Sequence, residues 1–254
     1  MKYLNFAYRW VGTTLFWIFF GLIGLFMGFV VFPLLSVFVW DGRKRQVAAR
    51  KLISAAFSLF VWVACSSRLI SIRVTGMEHV DPRGGQLILA THPTLIDVVI
   101  LISLFPQVDC VIKEAVTKNP VLGISVRLAN YISNREPADL LDSCVQRLES
   151  GASLLLFPSG TREVNGQPLR FKLGAAEVAV RARASILPVA LSCKSQMLAK
   201  HVPWYRIPPS APRFKITVLP PIAVENLTTG DVDQRHARYQ VNDALVSLFD
   251  AELS

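Results

Sequence analysis

The chain is 254 residues long, 52% hydrophobic and 18% charged, with a formal charge of +9 and a sequence pI near 9.7. That length accommodates one sizeable domain plus a membrane segment, and the cationic balance calls for an anionic partner, either nucleic acid or an anionic lipid surface. A mean hydropathy of +0.41 and the lack of a nucleic-acid-binding motif argue against the first; four scattered cysteines without a C-x-x-C pair argue against a zinc site or a disulfide framework, and suit a reducing cytoplasm.

Residues 11–40 carry no charge. Such a run exceeds the roughly 20 residues that cross a bilayer, and no small-residue cleavage site follows it, so it does not read as a removed signal. Pro33 marks a kink or a re-entrant bend. The basic stretch Asp41-Gly42-Arg43-Lys44-Arg45, with Arg50 and Lys51, comes next, and then a second apolar run over 52–67. Two full spans would put the basic stretch on the far side, against the positive-inside tendency. The sequence therefore predicts one span or a shallow hairpin whose second segment lies in the interface. The basic stretch and everything after it then face the cytoplasm, on a cytoplasmic (inner) membrane. Residues 1–69 are the expected anchor and 70–254 the expected catalytic domain.

From residue 71 the texture alternates. Residues 72–75 and 86–90 read as strands separated by Asp81-Pro82-Arg83-Gly84-Gly85. A turn holding His92 follows, then a helix from Pro93 through the apolar run to residue 104, since Pro suits the first helical turn. Strand 108–112 leads to Lys113, helix 120–128 to strand 131–133 and Arg135, and helix 137–149 to strand 153–157. Then come a glycine-containing loop, helix 173–183, strands 186–191 and 213–219, and helix 232–252. The proline-rich stretch 196–212, with Trp204 and Tyr205, reads as an irregular loop with aromatic anchors. Strands alternating with helices predict an α/β domain, a mixed, mostly parallel sheet flanked by helices, behind hydrophobic N-terminal helices. Cys110, Cys144 and Cys193 lie in apolar stretches, where a buried free thiol is the ordinary occupant.

Thr91-His92-Pro93-Thr94-Leu95-Ile96-Asp97 places two ionisable groups among residues otherwise destined for burial. With His92 in the turn and Asp97 on the helix, the carboxylate can reach back to the imidazole, fix its tautomer and raise its basicity toward an alcohol proton. A histidine buried for structure is the alternative from these residues alone. Phe157-Pro158-Ser159-Gly160-Thr161-Arg162 follows an apolar strand and puts N–H groups, a hydroxyl and a guanidinium where open α/β sheets bind ligands, a set suited to phosphate; an ordinary turn with a surface arginine is the competing reading. Ser159 is not a nucleophile elbow, because Phe157 and Thr161 stand where G-x-S-x-G needs glycines. Arg135, and Arg170 with Lys172, add positive charge at other strand or loop ends.

Taken together these blocks resemble the glycerolipid acyltransferase family, the lysophosphatidate-acyltransferase-like enzymes. The family's N-H-x-x-x-x-D, G-N-x-F-I-D-R, F-P-E-G-T-R and V-P-x-x-P-V-like blocks stand in order here as 91–97, 129–135, 157–162 and Ile186-Leu187-Pro188-Val189, with Phe171-Lys172-Leu173-Gly174-Ala175-Ala176 matching F-K-x-G-A. The resemblance covers roughly residues 70–220. It implies a membrane-bound O-acyltransferase of phospholipid biosynthesis. His92 is then the base and Asp97 its orienting partner, with no acyl-enzyme. Arg135 and Arg162 bind the acceptor's phosphate, Ser159, Gly160 and Thr161 shape or line that loop, and Lys113 adds electrostatic help. The implied co-substrate is acyl-ACP or acyl-CoA, and the other partners are membrane lipids. No cofactor, metal or nucleic acid is expected. The implied acceptor is 1-acylglycerol-3-phosphate. Ser159 in place of the family's Glu, Ala129 and Asn134 in place of Gly and Asp, and Thr91 in place of Asn keep a different lipid acceptor as an alternative. A membrane thioesterase, in which His92 activates water, is the other.

Overall fold

The computed structural model describes residues 2–120, 122–134, 137–164, 166–195, 197–203, 205–229 and 233–253. The apolar N-terminus forms a long helix α1 (Lys2–Phe26), a π-helical turn Met27–Val31 and α2 (Phe32–Phe38). Pro33 sits in the first turn of α2. Its missing N–H and its ring would disturb the preceding turn of a regular helix, and the widened turn lies where that disturbance falls. A tight reversal then leads into α3 (Gly42–Ser66), opened by Asp41, whose carboxylate accepts the Lys44 N–H at 2.8 Å. The basic stretch is therefore helical from Gly42, and the helix that carries the second apolar run begins ten residues ahead of it. The reason is the side-chain cap at Asp41, which starts the helix ahead of the apolar run.

The remainder is one mixed sheet. Its strands are β1 (Ser71–Thr75), β2 (Gln86–Ala90), β3 (Asp109–Ile112), β4 (Ile132–Ser133), β5 (Leu154–Leu156), β6 (Ser185–Cys193), β7 (Arg213–Val218) and β8 (Ile222–Ala223). They lie in the order β1-β7-β6-β2-β5-β3-β4, with β8 on β6. Pairing is parallel through β6-β2-β5-β3-β4 and between β1 and β7, and antiparallel where β6 meets β7 and β8. β2 is buried along its whole length, as a central parallel strand covered on both faces should be. Its side chains alternate: Ile88 and Ala90 join the core under the N-terminal helices, Leu87 and Leu89 the opposite core.

Between the strands run α4 (Asp97–Leu104), α5 (Glu114–Thr117), α6 (Gly123–Leu128), α7 (Pro137–Glu149), α8 (Leu173–Ala182) and α9 (Gln234–Leu253). Position 232, the expected start of the last helix, lies outside the described residues, as do Arg135 and Trp204. The helix expected from Pro93 begins only at Asp97. The cause is local: the Asp97 carboxylate takes the Thr94 N–H at 2.6 Å and the Thr94 hydroxyl, which folds 94–96 into a turn before the helix. Cys110, Cys144 and Cys193 are buried thiols outside any disulfide, and burial pushes each above its ordinary pKa.

The hairpin is continuous with this architecture. Phe16, Phe32 and Phe60 share a core cluster with Ile100 and Leu101 of α4, so the core runs across the boundary expected at residue 69. Two helical stretches, Asn5–Phe38 and Gly42–Ser66, are long and apolar enough to cross a membrane by length and composition. The outward face carries Leu15, Ile18, Leu22, Phe26, Phe29, Val37 and Phe38, all exposed.

Candidate active site

β2, β5, β3 and β4 are neighbours and parallel, so the segments that follow them emerge along one edge. His92 follows β2, 157–163 follow β5, Lys113 follows β3, and the expected Arg135, outside the described residues, follows β4. Among the described residues, three blocks far apart in sequence thus meet at the carboxyl ends of adjacent strands, the usual ligand position in such sheets.

Thr91 fixes the start of the first block. Its hydroxyl donates to the Leu191 carbonyl and accepts the Leu191 N–H, both at 2.8 Å. It therefore holds the end of β2 to β6, in the place where the resembled family has Asn. His92 comes next, and its Nδ1 lies 3.0 Å from Asp97 Oδ2. Asp97 is fully buried. Burial pushes its carboxyl upward, and the hydrogen bonds from His92 and Thr94 pull it back down. With Nδ1–H donating to the carboxylate, the Nε2 lone pair is the free basic position. The imidazole stacks on Phe157, ring centroids 4.3 Å apart and planes 25° from parallel. Phe157 thus belongs to the site, a role its position as the last apolar residue of a strand did not signal.

The second block is a tight loop. Gly160 N–H donates to the Phe157 carbonyl at 2.8 Å, with Gly160 at φ +68°, where a side chain would be strained. Lys172 runs over it, with its aliphatic end and Nζ 3.2 Å from where a Gly160 Cβ would stand. Thr161 is exposed. Ser159, expected to line the acceptor site, is instead buried, and its hydroxyl donates to the Thr161 carbonyl at 2.7 Å. Arg162 uses Nη1 on the Leu198 and Ala199 carbonyls, at 2.7 and 3.0 Å. Leu198 also accepts the Leu95 N–H at 3.1 Å. The 197–199 turn is therefore tied to both blocks, and part of the guanidinium is committed to that tie. Lys113 is exposed at the start of α5, and the next residue's N–H donates to the Asn134 side chain at 3.0 Å, joining the ends of β3 and β4.

Glu163 was not singled out by the sequence. Its Oε2 accepts the His92 N–H at 2.6 Å, and its own N–H donates to the His92 carbonyl at 3.0 Å. Burial, helped by the charge on Asp97, raises its carboxyl from 4.5 to about 7, against the lowering effect of the His92 N–H and the Ser159 hydroxyl. The folded protein thus binds this proton more tightly than the unfolded chain. Stability from this group is full below about pH 4.5 and is lost as pH rises to about 7. At about 1.4 kcal/mol per unit, the ceiling is about 3 kcal/mol. Thermal melts at pH 5 and pH 8 should show wild type losing more stability than Glu163→Gln, by up to that amount. Parallel losses in the two proteins would mean that Glu163 does not titrate in this window.

Among the described residues no group of three His, Cys, Asp or Glu side chains is placed to hold a metal ion. The arrangement has three parts: an oriented base with an open nitrogen, an aromatic platform beneath it, and a cationic loop beside it. Such a site suits deprotonation of a hydroxyl next to an anionic group.

Comparison with known proteins gives the chemistry its class. Residues 71–192 match the family described as Acyltransferase. The 1-acyl-sn-glycerol-3-phosphate acyltransferase alpha of Mus musculus is 26% identical over 219 residues, covering 82% of this chain and 71% of that protein. A putative 1-acyl-sn-glycerol-3-phosphate acyltransferase of Caenorhabditis elegans is 28% identical over 185 residues, 70% of this chain and 64% of that protein. The fold matches the crystal structure of the 1-acyl-sn-glycerophosphate acyltransferase PlsC from Thermotoga maritima at a TM-score of 0.71 and 21% identity, covering 98% of both chains. This is an acyltransferase. More narrowly, residues 71–192 carry the acyltransferase domain, and the chain is similar to lysophosphatidate-acyltransferase-like enzymes.

Proposed function

We propose that the protein transfers a fatty acyl group from acyl-ACP or acyl-CoA to the hydroxyl of a lysophospholipid-like acceptor, 1-acylglycerol-3-phosphate in the first instance. The observation that carries this reading is the His92–Asp97 pair at 3.0 Å with Nε2 left for substrate. Nε2 takes the acceptor's hydroxyl proton as its oxygen attacks the thioester carbonyl. The tetrahedral adduct collapses with loss of the C–S bond, and the proton on Nε2 passes to the departing thiolate. The products are an ester and a free carrier thiol, with no acyl-enzyme. The acceptor after which the mouse and nematode relatives are named supports the phosphate-bearing lysolipid, and so does the cationic strand-end edge with Lys113, Arg162 and Lys172.

The same reading places the protein on a membrane through the hairpin. α3 shares its core with α4, and Arg50 of α3 is buried in the domain. A helix so engaged suits a hairpin sunk into one leaflet better than a free second span, with the apolar face of α1 and α2 toward lipid and Arg43, Lys44 and Arg45 at the headgroups. We assign the catalytic domain to the cytoplasmic side on that ground.

The test is purified protein with labelled acyl-ACP and acyl-CoA against a panel of lysolipids, with the acylated product identified. The expected result is thioester consumption that requires an acceptor and yields a diacyl phospholipid. Consumption without any acceptor would make the protein a thioesterase. Arg162→Ala should raise the acceptor KM by roughly tenfold, since a charge-assisted bond to phosphate is lost. An unchanged KM would leave Arg162 only its structural tie to 198 and 199.

A further inference from the structure

Ser159 and Glu163 bracket the cationic loop, and the carboxylate beside His92 comes from Glu163. The residue at 159 turns inward, where its hydroxyl donates to the Thr161 carbonyl at 2.7 Å and lies against the Glu163 carboxyl. The carboxylate comes from four positions further on. Glu163 reaches back across 71 residues of sequence to accept the His92 N–H at 2.6 Å, while its own N–H holds the His92 carbonyl at 3.0 Å. Both peptide groups flanking the His92 Cα are therefore held by a single residue. Asp97 holds the same histidine by its ring, at 3.0 Å. The second carboxylate oxygen, Glu163 Oε1, is buried and has no hydrogen-bond partner among the described residues. A buried acceptor oxygen without a partner is a standing cost, and a side chain kept for packing alone has no need of it.

We propose that Glu163 is a positioning residue of the acyl-transfer site: its carboxylate clamps the main chain of His92 so that the imidazole presents Nε2 to the acceptor hydroxyl. This rests on the reading of His92 as the base and deepens it. Two carboxylates then grip one histidine from different sides, Asp97 through Nδ1 and Glu163 through the backbone. Ser159 is small and leaves room for the second grip. The groups facing the Glu163 carboxyl are His92 from the β2 loop, Asp97 from the start of α4, and Ser159 from its own loop. When Glu163 takes up a proton, its charge-assisted bond to the His92 N–H becomes a neutral one, roughly half as strong. The clamp is tight only while the carboxylate is ionised, which ties alignment of the base to pH.

The experiment uses the full-length protein in detergent or bilayer discs, labelled with [15N]histidine. The chain has four histidines, and His92→Asn identifies the amide signal of residue 92. In wild type that amide proton should lie far downfield and shift with a midpoint near pH 7, while in Glu163→Gln it should be flat. The companion assay is the pH profile of acyl transfer. Glu163→Gln should lower kcat at pH 8 by about three- to tenfold, leave the acceptor KM within about twofold, and move the acid limb of kcat to lower pH. Glu163→Ala should cost about tenfold more than Glu163→Gln. A wild-type amide that does not titrate, or a Glu163→Gln profile superimposed on wild type, overturns the clamp. His92→Ala, run in parallel, separates the two claims. If it stays active, the base assignment falls and takes the clamp's catalytic purpose with it, whatever the amide does.

Discussion

Replacing His92 with Ala should lower kcat for acyl transfer by roughly 10²- to 10⁴-fold, the usual contribution of a positioned general base. The ring is held on three counts. Asp97 fixes Nδ1 at 3.0 Å, Phe157 stacks beneath it at 4.3 Å, and Glu163 anchors its peptide. None of these contacts is a hydrogen bond to Nε2, so what is removed is the proton acceptor itself. The cationic groups expected to hold an acceptor phosphate lie on other loops, so the acceptor KM should stay within a few-fold. Asp97→Asn should cost less than removal of the imidazole, because the ring remains but its tautomer is no longer dictated. The measurement is initial-rate kinetics with the preferred thioester, alongside thermal melts confirming that both variants are folded. Near-wild-type turnover by His92→Ala would sink acid–base catalysis at this position.

The sequence made the fold legible because its signals were local. A continuous apolar run locates β2, alternation locates β7, and helix 137–149 starts and ends where a proline and a glycine put it. The His–Asp pair was legible too, although the helix was expected at Pro93 and starts at Asp97. What the periodicity could not show is that Thr94 spends its N–H and hydroxyl on the Asp97 carboxylate and so turns the chain before the helix begins. Ser159 was read as a substrate-facing residue from its place in a motif, but side-chain direction in a tight loop depends on the carbonyl of residue 161. Glu163 was invisible for a different reason. A glutamate after an arginine looks like solvated surface, and its meaning lies in a contact 71 residues away. Arg50 likewise read as part of a basic stretch, while its partner lies on a strand. Long-range polar contacts leave no periodic trace, and in this chain they hold the site and the hairpin in place.

The largest stability effect should come from Asp109→Ala. Asp109 opens β3 with a side chain fully removed from solvent, and its Oδ2 lies 2.7 Å from Arg50 Nη2 and 3.3 Å from Arg147 Nη1. Arg50 belongs to α3 and Arg147 to α7, so one carboxylate joins the hairpin, the sheet and the opposite helical layer. Arg50 is otherwise satisfied by the Ala129 carbonyl at 3.0 Å and lies 5.6 Å from the Tyr131 ring centroid. Taking the carboxylate away leaves a buried guanidinium without its counter-charge, which costs about 3–5 kcal/mol. For a chain of this size that lowers the melting midpoint by about 6–20 °C. Arg147 is partly exposed and can turn its charge to water, so the burden falls on Arg50. Hence Arg50→Met combined with Asp109→Asn, which removes both buried charges, should recover most of the loss, whereas Arg50→Met alone should not. The midpoints of wild type, Asp109→Asn, Arg50→Met and their combination form a double-mutant cycle, and a coupling of at least about 2 kcal/mol is the expected result. If Asp109→Ala melts within a degree or two of wild type, the hairpin is held to the domain by apolar packing alone, through residues such as Phe60 and Ile100, and the ion pair is a bystander.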